Sequence, residues 1–526
     1  MFSSKAILIW QSYLLFFSFL QPSYSASLCN FSFNAIGADC VQHLDAVSSS
    51  SSSNNLMAPC LMLHLKHRSA VDAAATEMGK KEPMEHSISA DALRMQTLFR
   101  RITDRTGSGG GHHSVIPEIS QQAALAAEEP PFLSGKLMAE VKSGASLGSG
   151  LYLVDVFVGT PPRRFPLILD TGSDLIWIKC RPCHDCSEQD DPLYDPTNSS
   201  SYVNVSCDDP RCGLVASPNP PRRCRAEATD GGGHGCPYFY WYADSSNTTG
   251  DLAVESFTMS LTAPDGAGAA FRRVGDIVFG CGHRNRGNFQ GAAGLLGLGR
   301  GALSFSSQLG PLYGRTFSYC FVDQNSHRSV RSKLIFGEDH RLLSHPDLNY
   351  TSFVAGKGNP AETFYYLQIN SIIVGGEALQ IPPETWELAE DGSGGTIIDS
   401  GSTLSYVFGQ AYEKIKEAFV RKVKNYPAVE ERLPELQQLN PCYNVSGVPK
   451  PEMPELAILF GDGARWNFPV ENNFIRPGPD EIICLAMLPT TQPFSILGNH
   501  QQQNFHVLYD MKNSRLGFAP RRCAEM

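Results

Sequence analysis

Charge is scarce in this chain. Asp, Glu, Lys and Arg make up 18% of its 526 residues, below the ~25% usual for globular domains. Cations are the scarcer sign, which leaves a formal net charge of −10. An acidic chain repels nucleic acid and anionic lipid, so neither is expected as a main partner. After the first twenty residues no apolar run approaches the length of a bilayer span, and the C-terminal RRCAEM is polar. Neither a stable membrane anchor nor a lipid-anchor tail is therefore expected. The Gly-rich GLLGLGRG at 294–301 lacks the spacing of a dinucleotide or phosphate loop. What is abundant is apolar residues at 42%, with 47 Gly and 35 Pro. That composition excludes a wholly disordered chain and suggests a sizeable core cut up by many turns. At ~150 residues per domain the length allows three or four units, or fewer if some are large β lobes.

Residues 1–25 carry one early cation, Lys5, then an apolar stretch from Ala6 to Leu20 and small residues from Ser23 to Ala26. We read a secretory signal peptide cut near Ser25 or Ala26. Three of the fifteen cysteines (Cys29, Cys40, Cys60) precede residue 130 and twelve follow it. An even number suits disulfides in an oxidising compartment. Sequons at Asn30, Asn198, Asn204, Asn247, Asn349 and Asn444 support glycosylation.

Residues 26–134 differ from the rest. A serine run (48–53), a Gly-rich stretch with two histidines (107–113) and an Ala/Glu/Pro stretch (123–131) surround one helix-capable segment at 84–101. This reads as a propeptide with flexible linkers, removed near 130–148. From 148 the pattern turns to short β-type runs: 151–159, 165–170, 276–281, 333–337, 364–376, 395–399 and 504–510. One helical period stands out at 411–426, with Tyr412, Ile415, Phe419 and Val423 on one face. The expected class is all-β with a few short helices.

The chain repeats a pattern internally. LILDTGS (167–173) is followed, 127 positions after Asp170, by Gly297 in GLLGLG; TIIDSGS (396–402) is followed, 99 positions after Asp399, by Gly498 in SILGN. That period is too long for a solenoid and suggests two related lobes, each with one copy of a site. An aspartate at the end of an apolar strand lies at the rim of a core. The glycine in the next turn admits a ligand close to the carboxylate. The neighbouring hydroxyls of Thr171, Ser173, Ser400 and Ser402 can donate to it. Two such carboxylates brought together cannot both ionise easily, so the pair holds one proton. It can then activate a water with one member and polarise a carbonyl with the other. No metal, cofactor or covalent intermediate is required.

LILDTGSDLIW (167–177), GLLGLG (294–299), TIIDSGST (396–403) and FSILGNHQQQNFHVLYD (494–510) closely resemble the pepsin-family aspartic proteases, whose dyad is itself the standing example of a shared proton. The cysteine-rich stretch from CRPCHDC (180–186) through Cys236, and YFYWYADSSNTTG (238–250) after it, resemble the nepenthesin-like plant subgroup. The resemblance covers about 148–526. It implies a bilobal pepsin-like fold with a cleft between a first lobe (148–325, carrying the Cys-rich insertion and a flap) and a second (326–526). It implies Asp170 and Asp399 as the catalytic pair, supported by Thr171, Gly172, Ser173, Ser400, Gly401 and Ser402. Tyr242 matches the family's flap tyrosine and Trp177 the tryptophan that hydrogen-bonds it. Ala243 and Ser245 stand where the family usually has glycine. Thr171 and Ser400 match the hydroxyls that tie the two active-site loops together.

CRPCHDC with His184 could also suggest a metal site. The compartment favours disulfides, so no metal is expected. Similarity to nepenthesins implies the pairs Cys180–Cys183, Cys186–Cys281, Cys207–Cys236, Cys212–Cys224, Cys320–Cys523 and Cys442–Cys484, although spacing alone cannot choose among connectivities. The expectation is therefore a monomeric, secreted aspartic endopeptidase made as a zymogen and acting on peptides at acid pH. The apoplast is favoured over vacuole or plastid. The alternatives are a catalytically weak binding or inhibitor protein on the same fold, and a plastid nucleoid protein.

Overall fold

Short apolar runs bounded by Gly, Pro and Asn become strands here. The computed structural model describes residues 136–143, 150–186, 193–215, 235–242, 246–262, 269–287, 289, 291–324, 326–327, 329–354, 363–389, 393–429, 438–477, 481–492 and 494–526. The expected signal peptide, propeptide helix, Asn30, Cys29, Cys40, Cys60, Cys224 and the positions Ala243 and Ser245 lie outside these residues.

A fourteen-stranded sheet dominates. Its middle contains, side by side, Ser332–Phe336, Lys136–Ser143, Tyr152–Val158, Arg163–Asp170, Gly294–Gly297, Trp177–Lys179, Ala269–Arg286 and Asn247–Thr262. Beyond Ser332–Phe336 it continues through Thr316–Cys320, Phe505–Asp510 and Arg515–Pro520 to Asn349–Ser352. Strands from both halves of the chain therefore share one sheet. The second half adds a five-stranded sheet around Thr396–Ile398 and a four-stranded one around Ile369–Val374. This is the all-β, bilobal, pepsin-like architecture. Its helices are few. In Gly409–Lys422, Tyr412, Ile415 and Phe419 are buried as the period requires, and Val423 caps the C-terminus.

Lys136–Ser143 adds to the sequence reading, which left 135–147 between propeptide and first lobe. Leu137, Ala139 and Val141 are buried while Glu140 is exposed, the period of a half-buried strand. It pairs antiparallel with Ser332–Phe336, Tyr152–Val158 and Asn247–Thr262. A cut within it would open the centre of the sheet.

The disulfides correct four of the implied pairs. Cys180 joins Cys281, Cys183 joins Cys186, and Cys212 joins Cys236. The reason is register. Trp177–Lys179 runs parallel to Ala269–Arg286 with Ile178 opposite Cys281. Cys180 thereby lies with its Cα 5.3 Å from that of Cys281, and the turn leaves Cys183 and Cys186 for each other. Cys212, on the short helix Pro210–Leu214, has its Cα 5.6 Å from that of Cys236. This displaces both Cys207–Cys236 and Cys212–Cys224; Cys207 is also disulfide-bonded. Cys320–Cys523 and Cys442–Cys484 pair as implied.

Candidate active site

Each D-[TS]-G-S segment leaves the end of a buried strand, and each strand is held the same way. Arg163–Asp170 lies parallel to Gly294–Gly297, with Asp170 opposite Gly297. Thr396–Ile398 lies parallel to Ser495–Leu497, one residue short of Gly498. In both halves the chain then loops over the partner strand and pairs with it from the other side, at Trp177–Lys179 and Ser405–Phe408. The crossing demands glycine. A Cβ on Gly297 would lie 2.3 Å from Asp174 O, and one on Gly498 would lie 2.3 Å from Leu404 O.

Both aspartates are fully buried. Gly172 N donates to Asp170 Oδ1 at 3.0 Å and Ser173 Oγ to Oδ2 at 2.5 Å. Gly401 N donates to Asp399 Oδ1 at 2.9 Å and Ser402 Oγ to Oδ2 at 2.7 Å. Two donors on each carboxylate fix its plane. The loops touch through the next residue of each. Thr171 N donates to Ser400 Oγ at 3.0 Å, and Ser400 N donates to Thr171 Oγ1 at 2.9 Å. The reciprocal pair joins residues 229 positions apart, one residue from each aspartate.

Tyr242 follows the strand Pro237–Trp241, and its hydroxyl accepts from Trp177 Nε1 at 2.7 Å. Trp177 is fully buried, edge-on to Phe289 at 4.9 Å between centroids. It is therefore both a core aromatic and a partner of the tyrosine.

Several supporting residues carry little signal in sequence. Asp174 accepts from Gly301 N at 2.8 Å and from Thr363 Oγ1 at 2.7 Å, which ties the first loop to the segment that opens the second half. Asn499 Nδ2 donates to Ser400 O at 3.1 Å. All three glutamines of the run Gln501–Gln503 are buried.

The chain matches family models described as "Xylanase inhibitor N-terminal" over residues 152–338 and "Xylanase inhibitor C-terminal" over 364–520. It is 38% identical over 379 residues to aspartic proteinase nepenthesin-2 of Nepenthes gracilis, covering 72% of this chain and 78% of that one. It is 35% identical over 399 residues to aspartyl protease family protein 2 of Arabidopsis thaliana, covering 74% of each. This chain belongs to the plant aspartic protease family. The crystal structure of edgp, at 21% identity and TM-score 0.61, covers 75% of this chain and 97% of its own, and bears on the fold alone. As a member of this family the protein is an aspartic-type endopeptidase, a hydrolase acting on peptides.

Acid should weaken this protease through two buried histidines. Burial pulls His500 and His506 down to about 4. For His500 the backbone of Phe474 and Glu471 opposes the effect. For His506 Asp339 opposes it, while Arg521, Lys136 and His345 add to it. The unfolded imidazoles protonate near 6.5, before the folded ones. Stability is therefore full above that pH, falls as pH drops from about 6.5 to 4, and levels off below. Each ring contributes on the order of 3 kcal/mol to the fall. A His500→Phe/His506→Gln double variant should show a flatter fall in Tm across this window than the wild type. An unchanged slope would place the acid sensitivity elsewhere.

Proposed function

We propose that Asp170 and Asp399 form the catalytic dyad of an endopeptidase that works in acid, made as a secreted zymogen. The observation that carries this is the reciprocal Thr171–Ser400 hydrogen-bond pair, with each neighbouring aspartate held by the same glycine and serine donors. In the proposed reaction one carboxylate takes a proton from water as it attacks the scissile carbonyl. The protonated partner donates to the carbonyl oxygen, forming a gem-diol. The proton then passes to the departing amine as the C–N bond breaks. Tyr242, held by Trp177, would close over an extended peptide.

Secretion and glycosylation belong to the same reading. Five disulfides among the described residues suit an oxidising compartment. Asn198, Asn204, Asn349 and Asn444 are exposed, and Asn247 is half-buried. We take the protein to be a monomer without nucleic-acid partners, on its acidic charge.

The family-model description favours one second reading, a protein that binds another enzyme rather than cutting peptides. A single experiment separates the two. Purified processed protein is incubated with a peptide library from acid to neutral pH, with and without a statine-type transition-state mimic. Cleavage confined to acid and abolished by the mimic is the expected result. Tight mimic-independent binding of a protein partner with no cleavage at any pH would establish the binder.

A further inference from the structure

Beneath the two loops lies a chain of buried polar side chains that the proposed chemistry does not use. Gln502, Tyr319 and Tyr509 are fully buried. Gln502 Nε2 donates to Leu497 O at 2.9 Å and faces Asp399 O at 3.5 Å. Two carbonyls on that side assign the amide: its NH2 faces them and Oε1 points away. Oε1 accepts from the Tyr319 hydroxyl. A phenol has one proton, and that of Tyr319 is committed to Gln502. In the 2.9 Å Tyr319–Tyr509 pair the Tyr509 hydroxyl is therefore the donor. Tyr509 oxygen is left to accept, and the Thr171 hydroxyl acts on it as a donor. Thr171 Oγ1 in turn accepts from Ser400 N.

The interactions thus point one way. They run from Ser400 N–H through Thr171, Tyr509, Tyr319 and Gln502 to the carbonyl side of Asp399. The two ends belong to one peptide group, the one that follows Asp399. Aligned bonds polarise one another in a dry interior. Burial raises both phenols above their ordinary pKa, so the hydroxyls keep their protons. The other loop closes more simply, with Ser400 Oγ donating to Leu169 O at 3.0 Å.

We infer that Gln502, Tyr319 and Tyr509 are positioning residues for the proposed hydrolysis. They hold the Asp399–Ser400 peptide plane, and with it the Asp399 carboxylate, in register with Asp170. This rests on the dyad reading above. None of the three touches substrate. They act through the peptide group, where displacements below 1 Å matter to the rate.

The test is steady-state peptide cleavage by the full-length protein after processing, comparing wild type with Tyr319→Phe, Gln502→Met, the double variant and Gln502→Glu. Tyr319→Phe and Gln502→Met should each lower kcat by about tenfold to a hundredfold with KM within about twofold. The double variant should be no worse than the weaker single, because both changes break one chain. A protonated glutamic acid can accept from Tyr319 and donate to Leu497 O as the amide does. Gln502→Glu should therefore approach wild-type kcat in acid and lose it as pH rises. Wild-type kcat in a folded Gln502→Met protein, or losses that multiply in the double variant, would overturn the inference. If Tyr319→Phe does not fold, the two Gln502 variants decide. A wild type that cleaves nothing defeats the dyad reading first; an active wild type matched by Gln502→Met defeats only this inference.

Discussion

Asp170→Ala and Asp399→Ala are each expected to reduce peptide cleavage by at least about 10⁴-fold at every pH, with the double variant scarcely worse than either single. Both carboxylates take part in one proton transfer, so losing either removes the whole step. Alanine also strands two buried donors at each site, Gly172 N and Ser173 Oγ or Gly401 N and Ser402 Oγ. A stranded buried donor costs about 1–3 kcal/mol, which would confuse lost chemistry with lost fold. Asp170→Asn and Asp399→Asn are the cleaner pair. The amide keeps an oxygen for the glycine N–H, and the serine hydroxyl can rotate to accept from its NH2. These variants should melt close to the wild type, bind the statine-type mimic weakly, and cleave nothing. Wild-type turnover in either asparagine variant would end the dyad mechanism.

Gly297→Ala and Gly498→Ala should each destabilise the protein by about 3 kcal/mol or more, a large share of the ~5–15 kcal/mol that holds a typical domain together. The added carbon meets main chain 2.3 Å away on a crossing segment in both lobes, so the backbone itself must move. The segments that must move carry Asp174 and Leu404, four and five residues beyond the two aspartates. Turnover should therefore fall even in whatever fraction stays folded. Gly213→Ala is the control, since nothing lies within 4 Å of its added carbon. Chemical denaturation of the three variants checks this. Equal stability of Gly297→Ala and Gly213→Ala would mean that the crossing is looser than its geometry indicates.

Much of the site could be read in advance because its signals are local. A buried strand, an acid at its end and glycine in the turn all lie within seven residues. The later apolar-apolar-glycine element repeats at a comparable distance in both halves. Lys136–Ser143 was legible by the same alternation of Leu137, Ala139 and Val141, but its neighbours resemble a linker and hid it. The burial of the glutamine run is not a local property. An amide looks hydrophilic wherever it occurs; the carbonyls of Asn472 and Ala486 receive the buried Gln501 amide, and those of Leu497 and Asp399 face that of Gln502.

What the chain by itself determined is the class of fold and the two acidic loops, since strand period, turn chemistry and a doubled motif are properties of neighbouring residues. Tertiary structure alone decided which cysteines bond. The Cys180–Cys281 pairing follows from the register of strands a hundred residues apart, and no local preference encodes that register. It alone also brought Thr171 to Ser400 and threaded Tyr509, Tyr319 and Gln502 beneath Asp399. Those contacts span both halves of the molecule and exist only once the two halves share a sheet.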